Sequence, residues 1–320
     1  MVSRGKEPVS SRKNAKQPEQ CGEMNAFQGV YTALVTPFDD NNDVDFAALS
    51  QLVERQIQAG VAGLVPCGTT GESPTLSHPE HDEVVRKVVE VANGRVKVMA
   101  GTGSNSTREA VRLTCQAERF GADCALVVTP YYNRPSQQGV FEYYRAISEA
   151  SELPVVVYNI ASRTGCNVET ETLMRIADLP NVVGVKEASG SLDQMASVMA
   201  RLVYGEHPDF SVLSGDDSLT LPLMGIGGHG VVSVASNLLP GDVVAMVDAA
   251  AKGDFASAQA IYYRLWPLFK ALFVEPNPVP VKRAMALCGQ PVGGVRSPLC
   301  DMRAESDEYL QRVLGQLELI

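Results

Sequence analysis

The feature that most narrows the fold is a repeating beat. From Val30 onward, short apolar runs rich in β-branched residues recur roughly every 30 residues, separated by amphipathic segments. The runs fall at 30–35, 63–67, 96–100, 124–129, 155–158, 182–186, 210–214 and 230–234. They are too short for core helices and apolar at nearly every position, as strands covered on both faces must be. After the first run, residues 46–59 set Leu49, Leu52, Val53 and Ile57 on one helical face. Eight buried strands alternating with helices is the arithmetic of an α/β fold, the (β/α)8 TIM barrel. The interval before the last strand is short, but residues 219–224 still supply a brief helix. A doubly wound open sheet is the competitor. It has fewer strands and a glycine-rich phosphate turn after the first one, where this chain has Thr36-Pro37-Phe38-Asp39.

The beat sets the expected boundaries. Residues 25–252 form the barrel, with 241–252 as its closing helix. Residues 253–320 turn all-helical, at 255–273, 281–287 and 305–317, and form a C-terminal appendix. Ile261, Leu265, Leu268 and Leu272 make a helical stripe that reads as packing. Residues 1–24 are polar with mixed charges, lack the apolar centre of a signal peptide, and are expected to be a disordered extension. A net charge of −10 argues against nucleic acid and anionic membranes as partners. No apolar run approaches the roughly 18 residues of a membrane span. Seven cysteines, an odd number without paired spacing, fit a reducing cytoplasm.

In such a barrel, chemistry gathers at the C-terminal ends of the strands. The sixth strand ends in Lys186, within Val182-Val183-Gly184-Val185-Lys186-Glu187-Ala188-Ser189. A lysine at the rim of an apolar strand loses hydration, which favours the neutral amine that attacks carbonyls. The plain alternative is a lysine that extends its ammonium to water. The second strand ends in Gly68-Thr69-Thr70-Gly71-Glu72, two hydroxyls and backbone amides at a turn, suited to gripping a carboxylate or relaying a proton. The fourth ends in Thr129-Pro130-Tyr131-Tyr132-Asn133-Arg134, and the fifth in Tyr158-Asn159 with Ser162-Arg163-Thr164-Gly165 beyond. One amine, tyrosines, two threonines and an arginine on one rim suit Schiff-base chemistry on a keto acid, with no metal or cofactor required. Tyrosine can shuttle protons and arginine can grip a second carboxylate. His78 and His81, flanking Pro79, read as a helix start rather than a metal site.

These same motifs, with Ser214-Gly215-Asp216-Asp217, Gly227-Gly228-His229-Gly230-Val231-Val232-Ser233 and Glu275-Pro276-Asn277-Pro278, closely resemble the dihydrodipicolinate synthase family. That family belongs to the pyruvate-dependent class I aldolases, which also include N-acetylneuraminate lyase. The resemblance runs from Phe27 to the C-terminus. It implies that Lys186 captures pyruvate as an imine and that Tyr158 is the acid/base beside it. It makes Thr69 a proton relay, Thr70 a hold on the pyruvate carboxylate, and Tyr132 a relay residue inserted into a neighbouring subunit's site. Arg163 would recruit the carboxylate of L-aspartate 4-semialdehyde, and the backbones of Gly215 and Val232 would face the site. A homotetramer built as a dimer of dimers is implied. The chain departs from the family pattern at Ile160-Ala161, where many relatives carry a hydrophobic residue and proline.

In lysine-inhibited relatives, an allosteric pocket at the dimer interface uses residues matching Ser73, His78, His81, Asn105, Glu109 and Tyr131. L-lysine is therefore an expected inhibitor, with helix capping and interface packing as the alternative roles. The expected reaction condenses pyruvate with L-aspartate 4-semialdehyde to 4-hydroxy-tetrahydrodipicolinate, toward diaminopimelate and lysine. Arg163 and the Thr-Thr pair favour this branch over a sibling pyruvate aldolase acting on a sugar acid or another aldehyde. A catalytically silent lysine-binding barrel is the reading from a different class. Two signals are discounted. The glycine spacing from Gly225 to Gly230 follows a helix and enters a strand, the wrong order for a dinucleotide turn. Asp216 and Asp217 read as caps.

Overall fold

The computed structural model describes residues 27–320. The expected extension at 1–24 lies outside those residues. Eight parallel strands close into a barrel in chain order: β1 (Gly29–Ala33), β2 (Gly63–Val65), β3 (Lys97–Gly101), β4 (Cys124–Val128), β5 (Val155–Asn159), β6 (Val182–Glu187), β7 (Ser211–Ser214) and β8 (Gly230–Ser233). The ring shuts where Tyr31 of β1 pairs with Val232 of β8. Around it run α1 (Phe46–Gln58), α2 (His78–Ala92), α3 (Thr107–Phe120), α4 (Gln137–Ala150), the single turn α5 (Ala161–Thr164), α6 (Thr170–Ala177), α7 (Leu192–Val198), α8 (Thr220–Gly225) and α9 (Pro240–Ala251). Then come α10 (Phe255–Ala271), α11 (Val279–Leu287) and α12 (Ala304–Gln316).

Local chemistry explains the boundaries. The Asp45 carboxylate caps α1 by accepting from the Ala47 and Ala48 amides. Ser77 and Glu80 form a capping box around Pro79, so His78 does open a helix. β2 stops earlier than its apolar run because Pro66 and a left-handed Cys67, φ 54°, turn the chain. Asp216 caps the next turn by accepting from Ser218 N, and the buried Asp217 accepts from Val234 N and Ala235 N.

Strand alternation divides the core in two. In β5, Val156 and Tyr158 point into the barrel while Val155 and Val157 point out. The inner cluster joins Tyr31, Met99, Leu126 and Leu213. The outer one lies between strands and helices and continues without a break into Leu265, Leu268, Val281, Leu310 and Val313 of the last three helices. At about 25 cal/mol per Å² of apolar surface, each fully buried Leu or Val stabilises by roughly 1.5–3 kcal/mol. Among the described residues, no helix is long and apolar enough to cross a membrane.

Candidate active site

Lys186 owes its direction to a bulge. Val182 pairs with Val155 and faces the outer cluster, so strict alternation would also aim Lys186 outward. Between Val155 and Val156 the register shifts by one residue, and Gly184 pairs with Val156. The extra residue flips the phase, as bulges beside active sites do. Lys186 then pairs with Tyr158, whose side chain points inward, and is 6% exposed. Its Nζ lies 4.2 Å from the centroid of the Tyr158 ring. Gly215 passes close behind: a Cβ there would sit 3.1 Å from Lys186 Cε and 2.6 Å from the Ala188 Cβ. Glycine is required at Gly215 to leave the amine its path.

Beneath Lys186 lies a polar layer that the sequence reading missed. The buried Glu187 carboxylate accepts from Ser189 N at 2.6 Å, Asn159 Nδ2 at 3.0 Å and Gln194 Nε2 at 3.2 Å. Asn159 also accepts from Val168 N at 3.0 Å. The ends of β5 and β6 are thereby tied together, which fixes Tyr158 and Lys186 relative to each other.

The turn after β2 supplies the opposite side. Gly71 N and Glu72 N donate back to Gly68 O and Thr69 O, so these amides close the turn and are spent there. The polar groups left for a ligand are those of Thr69 and Thr70. Thr70 Oγ1 accepts from Asn277 Nδ2 at 2.9 Å, which leaves its O–H free to donate. Asn277 O in turn accepts from Arg163 Nη2 at 3.3 Å. Asn277 thus joins two of the expected binding residues and is itself buried, with Oδ1 unpartnered. Its stretch, Glu275-Pro276-Asn277-Pro278, was visible as a motif, but its sequence position gives no hint of a place beside Thr70.

A cavity of about 220 Å³ opens at this mouth, lined by Thr69, Leu126, Val128, Tyr158, Ile160 and Arg163, among others. Lys186 reaches this cavity through Tyr158, whose ring lines it and lies against the Lys186 amine. Val232 contributes its side chain to the inner cluster. Tyr132 does not join: its backbone is left-handed, φ 70°, and its side chain is 90% exposed.

The residues expected to bind L-lysine fall in four places. Ser73 and Tyr131 line the same cavity as Thr69 and Arg163. Glu109 Oε1 lies 2.5 Å from His78 Nε2, and Ser104 Oγ donates to Glu109 Oε2. The Ser104 hydrogen bond, then His78, hold the Glu109 carboxyl below its usual range, so it carries charge at neutral pH. Asn105 O accepts from Asn133 Nδ2 at 2.8 Å. His81 is set apart, buried with Nε2 2.8 Å from Gly101 O at the end of β3. Burial depresses its basicity, which suits a neutral packing and hydrogen-bonding role.

A buried amine against a tyrosine, with a threonine and an arginine lining the cavity which that tyrosine borders, can capture a carbonyl acid as an imine and hold a second anion nearby. That is the equipment of a Schiff-base lyase on a TIM barrel. The chain belongs to the dihydrodipicolinate synthetase family, whose model matches residues 26–317. It is 51% identical over 294 residues to the 4-hydroxy-tetrahydrodipicolinate synthase of Syntrophus aciditrophicus, covering 92% of this chain and 99% of that one. A solved dihydrodipicolinate synthase from Cyanidioschyzon merolae, with lysine bound, superimposes with a TM-score of 0.88 at 42% identity, covering 92% of this chain and 99% of that one. A structure described as the first monomeric dihydrodipicolinate synthase variant gives a TM-score of 0.89 at 42% identity, covering 92% of this chain and 98% of that one.

Proposed function

We propose that this chain is a 4-hydroxy-tetrahydrodipicolinate synthase, a lyase that joins pyruvate to L-aspartate 4-semialdehyde on the route to diaminopimelate and lysine. The observation that carries the reading is the buried Lys186 in register with Tyr158, which lines a cavity together with Thr69 and Arg163. The Lys186 amine adds to the pyruvate ketone and water leaves, giving an imine. The imine nitrogen draws electrons as the adjacent methyl loses a proton, and the resulting enamine carbon attacks the aldehyde. Tyr158 moves protons at the nitrogen and the new hydroxyl, with Thr69 passing them onward. Thr70 donates to the pyruvate carboxylate, and Arg163 holds the carboxylate of the aldehyde substrate. The backbones of Gly215 and Val232 bound the site.

Two further parts of the reading need a second copy of the chain. The exposed Tyr132 completes the proton relay of a partner subunit, so a dimer is the smallest active unit and two dimers pair as a homotetramer. L-lysine inhibits from the neighbourhood of Ser73, His78, His81, Asn105, Glu109 and Tyr131, where the charged Glu109 suits its ammonium. Support for this comes from the lysine-bound relative. Calorimetric titration is expected to register L-lysine binding, and a flat isotherm in the millimolar range would remove that site. The reaction is placed in the cytoplasm.

Borohydride reduction with pyruvate is expected to fix a pyruvate-derived adduct on Lys186, and L-aspartate 4-semialdehyde is expected to turn over. An unmodified lysine would sink the reading. An adduct without turnover would move the protein to a sibling aldolase.

A further inference from the structure

The turn that carries Thr69 and Thr70 is fastened from outside the barrel. Glu72 closes that turn with a left-handed backbone, φ 54° and ψ 35°, which residues other than glycine seldom adopt. Its side chain is 1% exposed, and its two oxygens meet α11 and the loop that follows it. Oε1 lies 2.7 Å from Lys282 Nζ on α11, and Oε2 accepts from Arg296 N at 2.9 Å. The Lys282 side chain is 2% exposed. It donates to Gly294 O at 2.7 Å and lies 4.1 Å from the Phe38 ring centroid. Burial pulls Lys282 down to about 8, with Glu72 pulling the other way. At the start of the same segment, Asn277 holds Thr70. Residues 277–282 thus grip the turn twice, at Thr70 and at Glu72.

A buried ion pair is a poor source of stability, because removing two charges from water costs about as much as their attraction returns. What it supplies is a fixed direction. We propose that Glu72 and Lys282 are positioning residues through which the C-terminal helices set Thr69 and Thr70 against the substrate on Lys186. Neither side chain lines the cavity, so the pair acts only through the turn. The inference rests on the function proposed above.

The test is the double variant Glu72→Gln/Lys282→Met, which removes both charges and keeps the side-chain lengths. It is expected to melt cooperatively near the wild-type temperature and still to form the pyruvate adduct on Lys186. Its kcat is expected to fall roughly 10- to 100-fold, as displacement of a group by about 1 Å commonly does. The KM for pyruvate should rise while the KM for the aldehyde holds, a split that loss of fold would not produce. If the double variant does not fold, Glu72→Gln alone serves when assayed above pH 8. Its amide still accepts from Arg296 N, and Lys282, already lowered to about 8 by burial and no longer held up by Glu72, can shed its charge there. A smaller loss of the same pattern is expected. Wild-type kcat and KM in a folded variant would overturn the inference and leave the functional reading standing. A wild-type enzyme that forms no adduct would overturn both.

Discussion

Lys186 and Thr70 stand at the mouth of one barrel, yet they are held by opposite means. Lys186 is aimed by the wall itself, through a bulge and its pairing with Tyr158. Thr70 is aimed from beyond the wall, by Asn277 at a sequence separation of 207 residues and by the Glu72–Lys282 contact beside it. The nucleophile therefore depends on register over a few residues, and the carboxylate grip on tertiary packing across the whole chain. Damage to one should leave the other measurable.

The sharpest break removes the amine. Lys186→Ala is expected to abolish the borohydride-trapped adduct by mass spectrometry and to lower turnover by roughly 10⁴-fold or more, as loss of a covalent nucleophile does. Its melting temperature should stay near wild type, because the bulge and ladder remain.

Next comes the proton relay. Tyr132→Phe is expected to slow turnover by roughly 10²-fold, the usual worth of a positioned acid or base. The assignment of Tyr132 to a partner's site is tested by mixing. Equal amounts of Lys186→Ala and Tyr132→Phe subunits, unfolded and refolded together, should recover about a quarter of wild-type activity, because in half of the dimers one site is intact. Recovery no greater than the sum of the two variants would place the tyrosine in its own subunit or outside the mechanism.

Arg163→Ala sharpens the comparison on the entrance side. It should reduce kcat/KM for the aldehyde by roughly 10- to 100-fold, the cost of a lost charge-assisted hydrogen-bond pair, and leave the yield of pyruvate adduct unchanged. A fall in adduct yield would mean that Arg163 serves the first substrate instead.

The smallest effect concerns the strap that backs the β2 turn. Arg296 hydrogen-bonds Glu80 at 2.6 Å and holds its carboxyl down to about 2, from a usual 4.5. A carboxyl depressed on folding stabilises the protein above its unfolded value, and that contribution is lost as pH falls from about 4.5 toward 2. Glu80→Gln should therefore flatten the acid limb of the melting-temperature profile, with little change at neutral pH. An unchanged limb would remove this pair from the acid response.

The parts legible in the sequence were those written locally. Apolar runs gave all eight strands nearly to the residue, and His78-Pro79 marked a helix start because capping uses neighbours. What stayed hidden was non-local or depended on counting. Nothing in Val182-Val183-Gly184-Val185-Lys186 reports that one residue is surplus to the ladder, so the face taken by Lys186 could be stated only by assuming that it mattered. The amides of Gly71 and Glu72 look available in the sequence but are spent within the turn, because a turn's internal hydrogen bonds are invisible in its composition. Lys282 gave no signal at all; an isolated lysine in an amphipathic segment reads as a solvated charge until its surroundings are known.

The bulge in β6 has a consequence for how such proteins change over time. Deleting Val183, the surplus residue, would make the ladder regular and still leave Gly184, Val185 and Lys186 opposite Val156, Val157 and Tyr158, so the strand can lose one residue there without turning the amine outward. Related chains one codon shorter in β6 can therefore keep the same amine in the same place.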